Sequence, residues 1–176
     1  MTIPTRRSLS VRIPTKPYRT LGALWLGAVG ILPAPPVYAL LANCSVTTTG
    51  ISFGAYHVYN PTPTDSTGTI TVSCTGLLLS LLESYTIQIS QGGSGSFVSR
   101  LMASGSQRLA YNLYTDPTYT TVWGDGSAGT GTVSDSYLLG LFTVTRRYTV
   151  YGRIPAGQNA RAGNYGDTVV VTVNYN

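Results

Sequence analysis

Apolar and polar residues alternate with a period of two in several segments of this sequence, and no segment carries a convincing helical period. Successive side chains of an extended strand point to opposite faces, so this alternation predicts strands with one buried face. Glycine, proline, asparagine and aspartate separate the runs at the spacing of a β-sandwich, so we expect an all-β fold. The alternating runs are Thr69–Cys74, Tyr85–Ser90, Arg108–Tyr114 and Val169–Tyr175, with Phe142–Val144 and Tyr148–Ile154 as two more candidates.

Two segments interrupt this pattern. Leu77–Leu82 is apolar without alternation, which fits either a strand buried on both faces or a loop that covers one end of the core. Gly124–Thr132 is rich in glycine and is predicted to form a surface loop.

The first 39 residues have the order of a secretory signal peptide. A basic stretch precedes the apolar run Leu21–Leu32, and a small-residue cleavage site follows at Val37–Ala39. The apolar run is shorter than the roughly 20 residues that cross a bilayer. We therefore predict a cleaved leader over residues 1–39, one domain over residues 40–176, export through the inner membrane and no membrane span after cleavage.

Removal of this leader changes the charge of the protein. The whole sequence has eleven basic and six acidic residues, and five of the basic residues lie before Leu21. The remaining domain is formally neutral. A nucleic-acid-binding domain needs a basic surface, so we do not expect nucleic acid among the partners.

Two cysteines, Cys44 and Cys74, lie in the predicted domain. An even number of cysteines in an exported chain favours a disulfide, although a pair of buried free thiols is the alternative.

The predicted domain contains few residues of the types that form catalytic sites. Its single histidine, His57, lies among aromatic residues, and no Gly-x-Ser-x-Gly motif is present. One histidine and two paired cysteines do not supply a zinc site, and the aspartates lack calcium-loop spacing. Gly124-x-Gly126-x-x-Gly129 matches the sequence pattern of a dinucleotide-binding fingerprint. Small and β-branched residues follow it, however, where that fingerprint requires a helix. We predict no catalytic residues, metal or cofactor, and expect that the protein is not an enzyme.

The end of the chain is predicted to be a strongly β-forming strand over Asp167–Asn176. Val169, Val171, Val173 and Tyr175 share one face of it. A terminal strand with an open edge is either an aggregation hazard or a docking site for another strand, and the pattern alone leaves both open.

Several blocks of residues follow one another along the predicted domain in a recognisable order and spacing. The blocks are Cys44-x-Val46, Phe53-Gly54-x-Tyr56, Val72-x-Cys74, Tyr85-x-Ile87 with Gly92-Gly93, Arg100-x-Met102, Leu109-x-Tyr111-Asn112-Leu113-Tyr114-Thr115-Asp116, Trp123-Gly124-Asp125-Gly126, Tyr148–Pro155, Gln158 and Gly163-x-Tyr165-x-Asp167-Thr168-Val169. Together they resemble the spore coat protein U domain family across nearly the whole predicted domain.

This resemblance implies an immunoglobulin-like β-sandwich that lacks its last strand. The family's subunits receive that strand first from a periplasmic chaperone and then from a neighbouring pilus subunit, at an outer-membrane usher. The resemblance also implies a Cys44–Cys74 disulfide, a location in the periplasm and then on the cell surface, and a role in attachment and biofilm formation. The donor-strand groove would be lined partly by Val169, Val171, Val173 and Tyr175, although the face that lines it is not assigned by the pattern.

One departure from the family affects the expected place in the fibre. Cleavage after Ala39 leaves only Leu40–Asn43 before Cys44, too few residues for a donated strand. We therefore expect a subunit that accepts a strand and lies at the end of the fibre. The alternatives are a freestanding secreted coat or matrix protein with a complete sandwich, and a secreted carbohydrate-binding module.

Overall fold

The computed structural model describes residues 43–75, 81–139 and 143–175. The predicted leader and most of the apolar run at residues 77–82 lie outside these ranges, although the last two residues of that run begin a strand. The described residues form eight strands and one short 3-10 turn at Gly92–Ser94. The strands are β1 (Asn43–Thr49), β2 (Thr64–Thr75), β3 (Leu81–Ile89), β4 (Arg100–Ser104), β5 (Gln107–Tyr114), β6 (Val133–Leu139), β7 (Thr143–Ile154) and β8 (Val171–Tyr175).

The strands form two antiparallel sheets. One has the order β1-β2-β7-β5-β4 and the other the order β6-β3-β8. Their inner faces pack against each other, which confirms the predicted all-β sandwich. The alternating residues of the sequence supply those faces, because every second side chain of a strand points inward.

The central strands are almost completely covered. Ile70 and Val72 on β2 are 1% exposed, and Tyr85 and Ile87 on β3 are fully buried. Trp123, also fully buried, follows β5 and donates its indole N–H to the carbonyl of Ile87, at 3.0 Å. This bond joins the connection after β5 to the centre of the opposite sheet.

Strand β7 is one continuous strand where the sequence indicated two candidates. The alternation is broken at Arg146, a charged residue in register with core positions. Its side chain remains half exposed and lies 3.7 Å from the carboxylate of Asp135 on β6. The strand therefore continues without burying an unpaired charge.

Strand β8 begins at Val171, so the prediction that it begins at Asp167 was wrong. The Asp167 carboxylate instead accepts bonds from its surroundings, and Val169 is buried ahead of the strand. Side-chain hydrogen bonds of this kind compete with regular strand pairing.

The glycine-rich segment 124–132 is a largely exposed loop, as predicted. Strand β6 follows it, so the structure lacks the helix that a dinucleotide site requires at this position.

Candidate functional site

Four strands of the described structure, β1, β4, β6 and β8, lie at a sheet edge and pair with one strand only, and two of these edges border an opening into the core. Strand β1 pairs only with β2, and strand β8 pairs only with β3. The two strands lie in opposite sheets, on the same side of the sandwich, and a cleft opens between the end of β1 and the start of β8. We call this the edge cleft, and its lining residues are Thr48, Thr49, Gly50, Ile51, Ile70, Ile89, Leu113, Val150, Val169 and Val171.

The edge cleft is lined mainly by residues of the sandwich interior. Its deep residues include Ile70 and Ile89, each 1% exposed, and these belong to the main hydrophobic core. By contrast, Val171, Val173 and Tyr175 are only half covered although they face that core. The sandwich is therefore less completely closed along β8 than at its centre.

The cross-strand register fixes the direction of these three side chains. Val171, Val173 and Tyr175 lie opposite Ile89, Ile87 and Tyr85 of β3, whose side chains are buried. Thr172 and Asn174 face outward, where the Asn174 side chain donates to Gln88 Oε1. The inward face of β8 is thus the apolar one.

The same three residues direct their backbone groups towards the free edge. The amide of Ser90 donates to the carbonyl of Val170, whereas the amide of Ile89 donates to Gly124 on the other side of β3. Bonding directions alternate along an antiparallel pair, so Val171, Val173 and Tyr175 present unpaired N–H and C=O groups away from β3. Strand β8 therefore combines unpaired backbone groups along its edge with a partly buried apolar face.

Tyr175 adds a polar group to this arrangement. Within the described ranges, its hydroxyl is buried and has no hydrogen-bond partner. Burial raises the pKa of this hydroxyl, which keeps it in the neutral form that both donates and accepts.

A buried carboxylate holds the segment that leads into β8. Asp167 accepts hydrogen bonds from the Tyr111 hydroxyl, at 2.7 Å, and from the Gly93 amide, at 2.9 Å. Gly92 has a φ of +71°, and a Cβ at this position would lie 2.2 Å from Asp167 Oδ2. Glycine is needed at Gly92 because the backbone there turns in the left-handed region against this carboxylate, and a Cβ at Gly93 would lie 3.2 Å from Asp167 Oδ1.

A buried guanidinium anchors the adjoining end of β3. Arg100 is fully buried and donates from Nη2 to the carbonyls of Ser90, at 2.9 Å, and Trp123, at 2.7 Å. Nη1 donates to Asn112 Oδ1, and burial lowers the pKa of the guanidinium. Ser90 in turn binds Val170 through both its amide and its hydroxyl, so this network sets the position where β8 begins.

Strand β1 is fixed on the other side of the edge cleft by the disulfide. Cys44 and Cys74 lie directly opposite each other on β1 and β2 and are bonded, as predicted. No free cysteine is found in the described part of the chain. The bond ties an edge strand, which has only one partner strand, to the inside of the sheet.

The four predicted groove residues all lie on the β8 side of the opening. Val171, Val173 and Tyr175 line the half-covered face, while Val169 is buried just before the strand. Sequence reasoning missed Ile51 and the end of β1 as the opposite wall. It also gave no role to Arg100 and Asp167, and the signal available for them was a charged residue within otherwise apolar or glycine-rich blocks.

His57 is exposed in the connection between β1 and β2. The residues described contain no group of three or more histidine, cysteine or acidic side chains that could hold a metal ion. The described residues also contain no helix with the length and apolar composition needed to span a bilayer.

The model of the spore coat protein U domain matches residues 35–172. This chain belongs to the spore coat protein U domain family. The match begins four residues before the end of the predicted leader, and it covers the edge cleft and the networks around Asp167 and Arg100.

Two known proteins are similar to this family member. Protein U of Myxococcus xanthus is 38% identical over 117 residues, which are 62% of this chain and 59% of that relative. The chain thus spans less than two thirds of the relative's length. A crystal structure of the CsuC–CsuE chaperone–tip adhesion subunit pre-assembly complex, from archaic chaperone–usher Csu pili of Acinetobacter baumannii, matches with a TM-score of 0.47 and 21% identity, over 76% of this chain and 40% of the solved chain.

Proposed function

We propose that this spore coat protein U domain is a structural or adhesive subunit of a chaperone–usher pilus and that its edge cleft accepts a donor strand. The single observation that carries this proposal is the coincidence of two unpaired strand edges with an opening into the core. Family membership supports the same assignment.

The chemistry of the edge cleft favours an extended peptide over a small molecule. A strand laid beside β8 would accept and donate the backbone hydrogen bonds that Val171, Val173 and Tyr175 leave unmade. Its alternate side chains would cover the apolar face, which is only partly buried without them. Either the backbone or a polar side chain of the same strand could satisfy the Tyr175 hydroxyl.

The partners follow from this chemistry. An isolated subunit with an open apolar edge is prone to aggregate, so a periplasmic chaperone would cover the edge before assembly. A neighbouring subunit would then replace the chaperone strand at an outer-membrane usher. The protein would therefore pass through the periplasm to the cell surface, where the fibre serves attachment and biofilm formation.

We place the subunit at the end of the fibre. Predicted cleavage after Ala39 leaves Leu40–Asn43 ahead of the disulfide, which is too short to fill a groove the length of a typical strand of about 5–6 residues or more. The protein would then accept a strand without donating one.

Co-expression in the periplasm with and without the cognate chaperone tests the proposed function. We expect little folded subunit without the chaperone and a one-to-one complex with it, measured by periplasmic yield and size-exclusion chromatography. A freestanding coat or matrix protein with a complete sandwich predicts the opposite result. A monodisperse, protease-resistant monomer made without the chaperone would contradict strand acceptance.

A further inference from the structure

A second cleft lies between two loops, at the end of the sandwich away from the disulfide. Its volume is about 660 Å³, and its walls are residues 54–59 and 160–165, so we call it the loop cleft. Tyr56, in one wall, donates a hydrogen bond to the carbonyl of Pro155, which follows the last residue of β7. The disulfide residue Cys74 pairs with the other end of β7, close to its first residue. The loop cleft and the edge cleft share no lining residue.

Hydrogen bonds hold both walls of the loop cleft in place. The Tyr56 hydroxyl accepts from the amide of Gln158, at 2.8 Å, and donates to the carbonyl of Pro155. The Tyr165 hydroxyl donates to the carbonyl of Arg161, at 2.9 Å. The loops are therefore a built cavity rather than open chain, and a ligand would not have to order them.

The rim of the loop cleft carries a cation without a counter-ion. Arg161 is exposed, and its guanidinium makes no ion pair or hydrogen bond within the described residues. Arg153 and Arg146, by contrast, lie against Asp65 and Asp135. No aspartate or glutamate lines the loop cleft, so the local charge favours an anionic ligand.

The other lining groups indicate what kind of anion would fit. Asn164 and His57 offer hydrogen-bonding groups, and Tyr59, 96% exposed, presents a free aromatic ring at the rim. Leu109, 1% exposed, contributes to an apolar floor. Aromatic rings beside amides and a guanidinium suit a ligand with both an apolar face and many hydroxyl groups.

We propose that the loop cleft binds an acidic saccharide, a sugar chain that contains uronic acid. The guanidinium of Arg161 binds the sugar carboxylate through two parallel hydrogen bonds, a geometry that matches its planar fork. Tyr59 covers the apolar face of the neighbouring sugar ring, and Asn164 binds its hydroxyls. The volume lies within the range of about 300–1,000 Å³ for small-molecule sites. This inference does not depend on the pilus role, because the two clefts are separate.

Isothermal titration of the exported protein with trigalacturonate, in its chaperone complex if it is isolated as one, tests the proposal, with maltotriose and citrate as comparison ligands. We expect saturable binding of trigalacturonate with a Kd on the order of 1 mM, and weaker binding of both other ligands. Arg161→Ala should weaken trigalacturonate binding about tenfold or more, because a charge-assisted bidentate contact is lost. Tyr59→Ala should weaken maltotriose and trigalacturonate in similar proportion, since the ring contacts the sugar face.

Arg147→Ala is the matched control, because Arg147 is also exposed but lies on β7, outside the loop cleft. It removes the same charge and should leave the Kd unchanged. Equal losses in the two arginine variants would overturn the site, since they would show only a general charge effect. Citrate binding as tight as trigalacturonate would overturn the saccharide class, and so would the absence of saturation at about 10 mM ligand.

Discussion

Replacing Val173 by aspartate should abolish strand acceptance while leaving much of the fold intact. Val173 faces Ile87 across the β3–β8 register, and its side chain is only partly buried. A carboxylate there still reaches water until a donor strand covers it. Covering an unpaired charge costs several kcal/mol, and a cost of about 3 kcal/mol weakens the complex about 100-fold.

Thr172→Asp is the control for this variant. Thr172 is the neighbouring residue on the same strand, lies opposite Gln88 and points away from the core. It introduces the same charge into the same local sequence, so a general effect of charge on β8 would appear in both variants. The assay is fluorescence anisotropy of a labelled N-terminal peptide from a neighbouring subunit, which displaces the chaperone from the purified complex. Equal peptide affinities for the two variants would refute the assignment of the inward face of β8 to the groove.

Three further predictions concern the disulfide, the carboxylate under β8 and the position in the fibre. Mass spectrometry without reductant should find Cys44 and Cys74 bonded in the exported protein, and two alkylatable thiols would contradict this; the bond closes a separation of 30 residues, worth about 3–4 kcal/mol in the chain-entropy model. Asp167→Ala should lower the free energy of unfolding in urea by about 2–4 kcal/mol, because buried donors lose their acceptor, and Asp125→Ala in the exposed loop should change it little; equal losses would argue against the network. Immunogold labelling should place the subunit at fibre ends, and labelling along the shaft would exclude the terminal role while leaving the pilus assignment intact.

The regular strands could be predicted from the sequence because their burial follows the period of the backbone. Ile70, Val72 and Cys74 alternate with threonine and serine, and the structure buries each of the three. The same logic failed at Arg146, since a long side chain at a core position can reach past the edge of the sheet to solvent and Asp135. The local alternation of residues does not indicate whether a long side chain can reach solvent from a core position.

The polar supports of the edge cleft could not be predicted from local patterns. Arg100 bonds to Ser90 and Trp123, and Asp167 bonds to Gly93 and Tyr111, which are distant along the chain. Their roles depend on which loops the fold brings together. The resemblance to the family pointed to these positions without giving the physical reason, which is the satisfaction of buried charges by backbone groups.

Amide hydrogen exchange along β8 tests the central claim most directly. The amides of Val171 and Val173 point to the free edge, whereas those of Thr172 and Asn174 point to β3. In the protein released from its chaperone, we predict fast exchange at Val171 and Val173 and slower exchange at the two alternate positions. Binding of a neighbouring subunit's N-terminal peptide should slow exchange at Val171 and Val173 to the rate of a paired strand. Slow exchange at these two amides before the peptide is added would contradict an open acceptor edge, and so would unchanged fast exchange once the peptide is bound.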